Sequence, residues 1–143
     1  MPVNKKLTKD FISKSAKKHK KLQSLNKIEA ISRNAQLNGL KIVHAHGVFD
    51  LLHVGHIRHL EQAKELGDIL VVTITPDRFV NKGPNRPAFN EKMRAHSLAA
   101  LESVDYVGVT ENPTSVETIK LLKPDIFVKG TDCLLYTSDA ADE

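Results

Sequence analysis

Gly47-Val48-Phe49-Asp50-Leu51-Leu52-His53-Val54-Gly55-His56 follows an apolar run at Lys41–His46 and leads into a helical pattern at Gly55–Leu66. A strand that turns through a short glycine-bearing loop into a helix is the opening unit of a βαβ fold, and the rest of the chain repeats it. Further apolar runs lie at Ile69–Thr75, Tyr106–Thr110 and Ile126–Lys129, with helical patterns between them at Asn90–Leu101 and Ser115–Leu122. Pro76, Pro84, Pro87, Pro113 and Pro124 all fall in or beside the connections, where a missing N–H is tolerated. The alternation predicts an α/β, Rossmann-like parallel sheet with helices on both faces. The 143 residues suffice for one such domain.

In an open parallel sheet, ligands gather beyond the carboxyl ends of the strands, and the quoted stretch lies there. A helix start offers free backbone N–H groups and partial positive charge, which suit phosphate. His53 and His56 are three residues apart, so a first helical turn points both imidazoles the same way. Gly55, lacking a side chain, is expected to let a phosphate approach the backbone. Two imidazole donors beside helix amides fit a phosphorus centre that gains negative charge. No Ser or Cys stands beside them, so a covalent enzyme intermediate is not indicated. Spacing alone leaves a metal pair or ordinary helix-start histidines open. The flanking Gly-x-Phe-Asp and the strand–loop–helix setting favour a functional pair.

This stretch resembles the nucleotidyltransferase superfamily with a His-x-Gly-His signature, which includes cytidylyltransferases, adenylyltransferases and, more distantly, class I aminoacyl-tRNA synthetases. The branch it resembles most is that of heptose-phosphate adenylyltransferases and glycerol-3-phosphate cytidylyltransferases. The likeness covers about residues 40–132 and continues through Leu66-Gly67-Asp68-Ile69, Lys82-Gly83-Pro84-Asn85-Arg86-Pro87, Met93-Arg94, Ala99–Val107 and Lys129-Gly130-Thr131-Asp132.

The resemblance implies in-line attack of a substrate phosphate on the α-phosphorus of a nucleoside triphosphate, with pyrophosphate leaving. It makes His53, His56 and Lys82 the catalytic set. It gives nucleotide or substrate contacts to Gly47, Val48, Phe49, Asp50, Gly55, Arg86, Arg94, Lys129 and Asp132. Within that set Val48 and Phe49 sit against the nucleotide, and Asp50 anchors its loop or meets the substrate. Lys82, Arg86 and Arg94 neutralise phosphates, and Asp132 lies near the base or ribose. No protein metal ligands are assigned; magnesium is expected as cofactor, bound mainly through phosphate oxygens. The favoured reaction is transfer of AMP from ATP to a sugar phosphate such as heptose 1-phosphate. The rival is CTP-dependent transfer to a polyol phosphate such as glycerol 3-phosphate. A non-catalytic binding module built on the nucleotide fold is the alternative of another class. Expected partners are thus ATP or CTP, a phosphorylated sugar or polyol, a second copy in a homodimer and a fused sugar-kinase domain, with no nucleic acid and no membrane.

Charge is unevenly placed. Residues 1–38 hold ten Lys and Arg against two acidic residues, whereas the remainder is net acidic, so the overall charge of +4 describes the first segment and not the candidate site. That segment is expected to be a basic helical extension, helical from about Thr8 to Ala35 and stopped near Gly39, with 39–132 forming the nucleotidyltransferase domain. Its Lys17-Lys18-His19-Lys20-Lys21 run lacks interleaved aromatics and is taken as a solvated helix face. No apolar run reaches the roughly 20 residues of a bilayer span and no signal-peptide core is present, which points to a soluble cytoplasmic protein. Residues 133–143, including the single Cys133, resemble a sequencing-adapter reading frame and are set aside as a non-native tail. On that basis the domain is expected to be C-terminally incomplete, without the family's Ser/Thr-rich triphosphate motif, and weak or inactive by itself. His44 is expected to be structural; for His46, nearer the strand end, lining the pocket is the minority alternative to a packing role; His59 and His96 are expected on helix surfaces or in packing.

Overall fold

The computed structural model describes residues 20–80, 83, 84, 87–129 and 134–136. Its elements run α1 (Leu25–Leu37), β1 (Ile42–Gly47), α2 (Val54–Glu65), β2 (Ile69–Ile74), a 3₁₀ turn (Asp77–Phe79), α3 (Glu91–Ala99), β3 (Tyr106–Val109), α4 (Val116–Leu122), β4 (Ile126–Lys129) and β5 (Leu134–Tyr136). The sheet order is β3-β2-β1-β4-β5. The first four strands are parallel, with His46 opposite Thr73 of β2 and Lys129 of β4. The order reverses between β1 and β4, so the crevice where an open α/β sheet takes its ligand lies at the end of β1.

The period-two alternation of buried strands splits the core into two layers. Val43, Ala45, Leu70, Val72 and Ile74 pack with Leu60 and Ala63 of α2 and with Ala95, Leu98 and Ala99 of α3. Ile42 and Val71 pack instead with Ile28 and Ala35 of α1 and Leu122 of α4. The amino ends of the central strands are pinned by carboxylates. Asp125 accepts from Ile42 N–H at 2.7 Å, Asp68 from Lys41 N–H at 2.8 Å and Asp105 from Leu70 N–H at 2.7 Å. No helix among the described residues is long and apolar enough to cross a membrane.

Two elements differ from expectation. The helix expected from Thr8 to Ala35 is interrupted before Leu25: Leu22 pairs with Val107 of β3, and Gln23 N–H donates to the Val107 carbonyl at 3.1 Å. An edge strand presents unpaired backbone groups, and extending the chain at Leu22–Gln23 satisfies some of them. The helix then restarts at the Ser24 cap, whose side chain accepts from Lys27 N–H. Residues 1–19 lie outside the described set. The second difference is β5, which pairs antiparallel with β4 (Phe127 opposite Tyr136) and falls within the segment the sequence set aside. It occupies the other free edge of the sheet.

Ile28 is fully buried and Ala35 nearly so, so α1 is a layer of the sandwich, and a deletion of residues 1–38 would strip its core. Ile28→Ala is expected to destabilise the fold by about 2–5 kcal/mol, checked by urea unfolding; a loss well below 1 kcal/mol would show that α1 is dispensable.

Candidate functional site

The chain leaves β1 at Gly47 and turns at Phe49, whose φ of 51° is in the left-handed region that bulky residues seldom occupy. The turn folds the Phe49 ring back over Gly47, where an added Cβ would lie 2.8 Å from the ring, so only glycine fits. Phe49 is 2% exposed and meets the His56 ring edge-on, with centroids 5.8 Å apart. The resemblance places Phe49 against the nucleotide; in the structure its ring is buried and supports the edge of His56.

His53 is the N-cap of α2. Its Nδ1 accepts from Gly55 N–H at 3.0 Å, and its own N–H donates to His56 Nδ1 at 3.2 Å. This is a capping box made of two imidazoles in place of the usual hydroxyl and carboxamide. The rings lie 3.9 Å apart, centroid to centroid, at 39°. An Nδ1 that accepts carries no proton, so each neutral ring holds its proton on Nε2 and uses that atom as a donor. Gly55 meets a steric requirement here: an added Cβ would lie 2.7 Å from His53 Cε1. Glycine lets the His53 ring fold over the helix start.

Asp50 serves the neighbouring loop. Its two carboxylate oxygens accept from Ala88 N–H at 2.7 Å and Phe89 N–H at 2.8 Å. Arg94 of α3 is expected at the phosphates, but the structure places its side chain inside, at 0% exposure. Its guanidinium donates to the carbonyls of Val48 (2.9 Å), Thr75 (2.8 Å) and Phe89 (3.0 Å) and pairs with Asp77 (2.7 Å). With four of five donors committed to protein groups, it acts as a strut between the loops after β1 and β2. Lys129 ends β4, exposed and in register with His46. Lys82, Arg86 and Asp132 lie outside the described residues.

Behind the site runs a row that sequence reasoning took only in part. His44 Nε2 is 2.7 Å from Thr73 Oγ1, His46 Nδ1 is 2.8 Å from the same oxygen, and His46 Nε2 is 3.3 Å from Thr75 Oγ1. One hydroxyl proton cannot serve both rings, so Thr73 donates to one and accepts from the other. His44 Nδ1 is buried with no partner. A bare acceptor there costs less than an orphaned donor, which puts the His44 proton on Nε2 and aims the Thr73 hydroxyl at His46. Burial, reinforced by His46 nearby, lowers the His44 pKa to about 3, and burial lowers that of His46 to about 4. His44 is structural as expected. His59, at 4% exposure, packs in the interior. Thr73, Thr75 and Asp77 were not singled out; the alternation of Thr73 with Thr75 beside that of His44 with His46 was the available signal. Among the described residues no group of three or more His, Cys, Asp or Glu is placed to hold a metal ion.

The Gly47–His56 turn thus sits at the switch point of the sheet with a paired-imidazole helix start. A family model described as cytidylyltransferase-like matches residues 44–143. The chain belongs to the cytidylyltransferase-like family. It is 46% identical over 113 residues to the bifunctional protein HldE of a Nitratiruptor species, covering 78% of this chain and 24% of that one. It is 41% identical over 143 residues to HldE of Methylobacillus flagellatus (97% and 29%), and 49% identical over 119 residues to HldE of Helicobacter pylori (81% and 25%). The chain therefore spans about a quarter of the length of these curated relatives. Among solved structures, the lipopolysaccharide core biosynthesis protein from Thermoplasma volcanium matches with a TM-score of 0.58 at 37% identity, over 63% of this chain and 74% of that one.

The two lowered histidine pKa values set the acid response of this cytidylyltransferase-like domain. Below pH 6.5 the unfolded chain takes up protons that the folded chain refuses until about 4 and 3, so these groups favour folding most above pH 7. Stability is expected to fall as pH drops from 7 toward 4, read as a declining urea midpoint. His44→Gln, which keeps a polar partner for Thr73 without a titrating ring, is expected to flatten that slope.

Proposed function

We propose that this domain transfers a nucleoside monophosphate, AMP from ATP, to a sugar phosphate of the heptose 1-phosphate type and releases pyrophosphate. The observation that carries this is the pair of Nε2–H donors fixed side by side at the start of α2, beyond the end of β1. Such donors, with the helix N–H groups, stabilise charge that grows on an α-phosphorus during displacement, and they need no proton transfer to do so. A phosphate acceptor is already ionised at neutral pH, so positioning and charge neutralisation supply most of the rate. Lys82, Arg86 and Lys129 are proposed to neutralise the outer phosphates, and Asp132 to lie near the base or ribose.

Magnesium would enter on the phosphate oxygens and offset their charge. Asp50, with both oxygens taken up by backbone N–H groups, fits loop anchoring better than metal ligation. The name "bifunctional protein" carried by the relatives, and the match covering only about a quarter of their length, support a second catalytic unit in the native protein, proposed to be a sugar kinase. CTP as donor with a polyol phosphate as acceptor is the competing specificity.

The test separates capping from catalysis. Asn presents an oxygen where the Nδ1 acceptor sits but lacks the Nε2–H donor. His53→Asn and His56→Asn are therefore expected to keep the helix start and the unfolding transition while transfer falls by about 10²–10³-fold. Pyrophosphate release would be followed with ATP and CTP against a heptose 1-phosphate and glycerol 3-phosphate. Titration calorimetry reads nucleotide binding directly where turnover by the 143-residue chain is slow. Unchanged transfer in both variants would refute the assignment.

A further inference from the structure

Arg94 is the largest fully buried side chain among the described residues, a charged one, and it donates to the loop that carries the histidines. A buried cation is costly unless its donors are matched, and here they are matched by groups from three separate segments. The Val48 carbonyl comes from the loop after β1, and the Thr75 carbonyl and Asp77 carboxylate come from the turn after β2. The Phe89 carbonyl comes from the segment just before α3. The same segments are cross-tied by Asp50 to Ala88 and Phe89, and by Glu91 Oε1, which accepts from Asp77 N–H at 3.1 Å.

Resting on the reading of His53 and His56 as the phosphate donors, we propose that Arg94 is a positioning residue that fixes the histidines in their Nε2–H form through Val48 and Phe49. The contacts run without a gap. Arg94 holds the Val48 carbonyl; the next residue, Phe49, takes the left-handed turn; its ring supports the His56 edge; and His56 Nδ1 accepts from His53 N–H. The left-handed turn at a bulky residue is costly and persists only where its surroundings hold it. The Arg94–Val48 bond and the burial of the Phe49 ring hold it here. Release of the Val48 carbonyl lets the turn relax, the Phe49 support withdraw and the two Nδ1 acceptors lose their backbone partners. The rings then exchange between tautomers and lose their fixed orientation.

Only a guanidinium meets this geometry. Its planar fork reaches four acceptors in fixed directions, whereas an ammonium is a single point with three donors. The charge-conserving Arg94→Lys is therefore expected to fail as a rescue. The test is long-range ¹H–¹⁵N spectroscopy of the imidazoles in the 143-residue chain, together with calorimetric titration of ATP and CTP. Wild type is expected to show a pyridine-like Nδ1 and a pyrrole-like Nε2 for both His53 and His56. Arg94→Lys is expected to retain cooperative unfolding, to move both rings toward averaged tautomers and to weaken nucleotide binding by about 10–100-fold, as loss of a residue that orients a ligand group does. A folded Arg94→Lys with wild-type imidazole signals overturns the proposal. Should Arg94→Lys not fold, Asp77→Asn carries the test. Its carboxylate is 39% exposed and partners one arm of the fork, so the imidazole signals are expected to move the same way by a smaller amount. Unmoved signals there overturn the proposal as well. A wild type with the fixed tautomers that binds neither ATP nor CTP would refute the proposed function while leaving the tautomer result intact, so the two failures are distinguishable.

Discussion

The reciprocal cap between His53 and His56 is the interaction on which the site depends. A helix start must satisfy its orphan N–H groups, and a cap is worth only about 1 kcal/mol. Its consequence outweighs its energy. Using Nδ1 of both rings as acceptors for backbone N–H leaves the proton of each neutral ring on Nε2, so the groups that close the helix start also set which nitrogen of each ring donates. Gly55 is part of the same constraint, because any side chain there would displace the His53 ring. Gly47 plays the corresponding part for Phe49.

The fold supplies the place for this cap. Three aspartates close the amino ends of β1 and β2, while the carboxyl ends stay open to the crevice where the strand order reverses. Beneath that crevice the neutral row His44–Thr73–His46–Thr75 packs between β1 and β2 without bringing buried charge close to the cap. The one buried charge nearby among the described residues, Arg94, is matched to carbonyls and to Asp77, and so stiffens the loops. Of the cations the resemblance places at the phosphates, Arg94 is this buried strut and Lys129 ends β4, exposed.

Much of the architecture was legible in local pattern. The four parallel strands and the three helices between them fall within a residue or two of the periodicity, because buried parallel strands read as unbroken apolar runs bounded by proline and glycine. The break at Leu22–Ser24 was not legible. It is set by the edge of β3, more than eighty residues away in sequence, and a Lys-rich run with apolar residues at helical spacing gives no sign of an edge to cover.

The sequence by itself determined the strand–turn–helix unit, the His-x-Gly-His pair and their family, since these rest on neighbouring residues whose spacing is fixed by backbone geometry. Tertiary structure alone decided what the same residues do in space. It turned Arg94 inward, put the Phe49 ring under His56, gave Asp50 to Ala88 and Phe89, and assigned Gly55 to the His53 ring. Whether an arginine meets a phosphate or a carbonyl depends on which segments converge around it, and that convergence is long-range packing that no local spacing records.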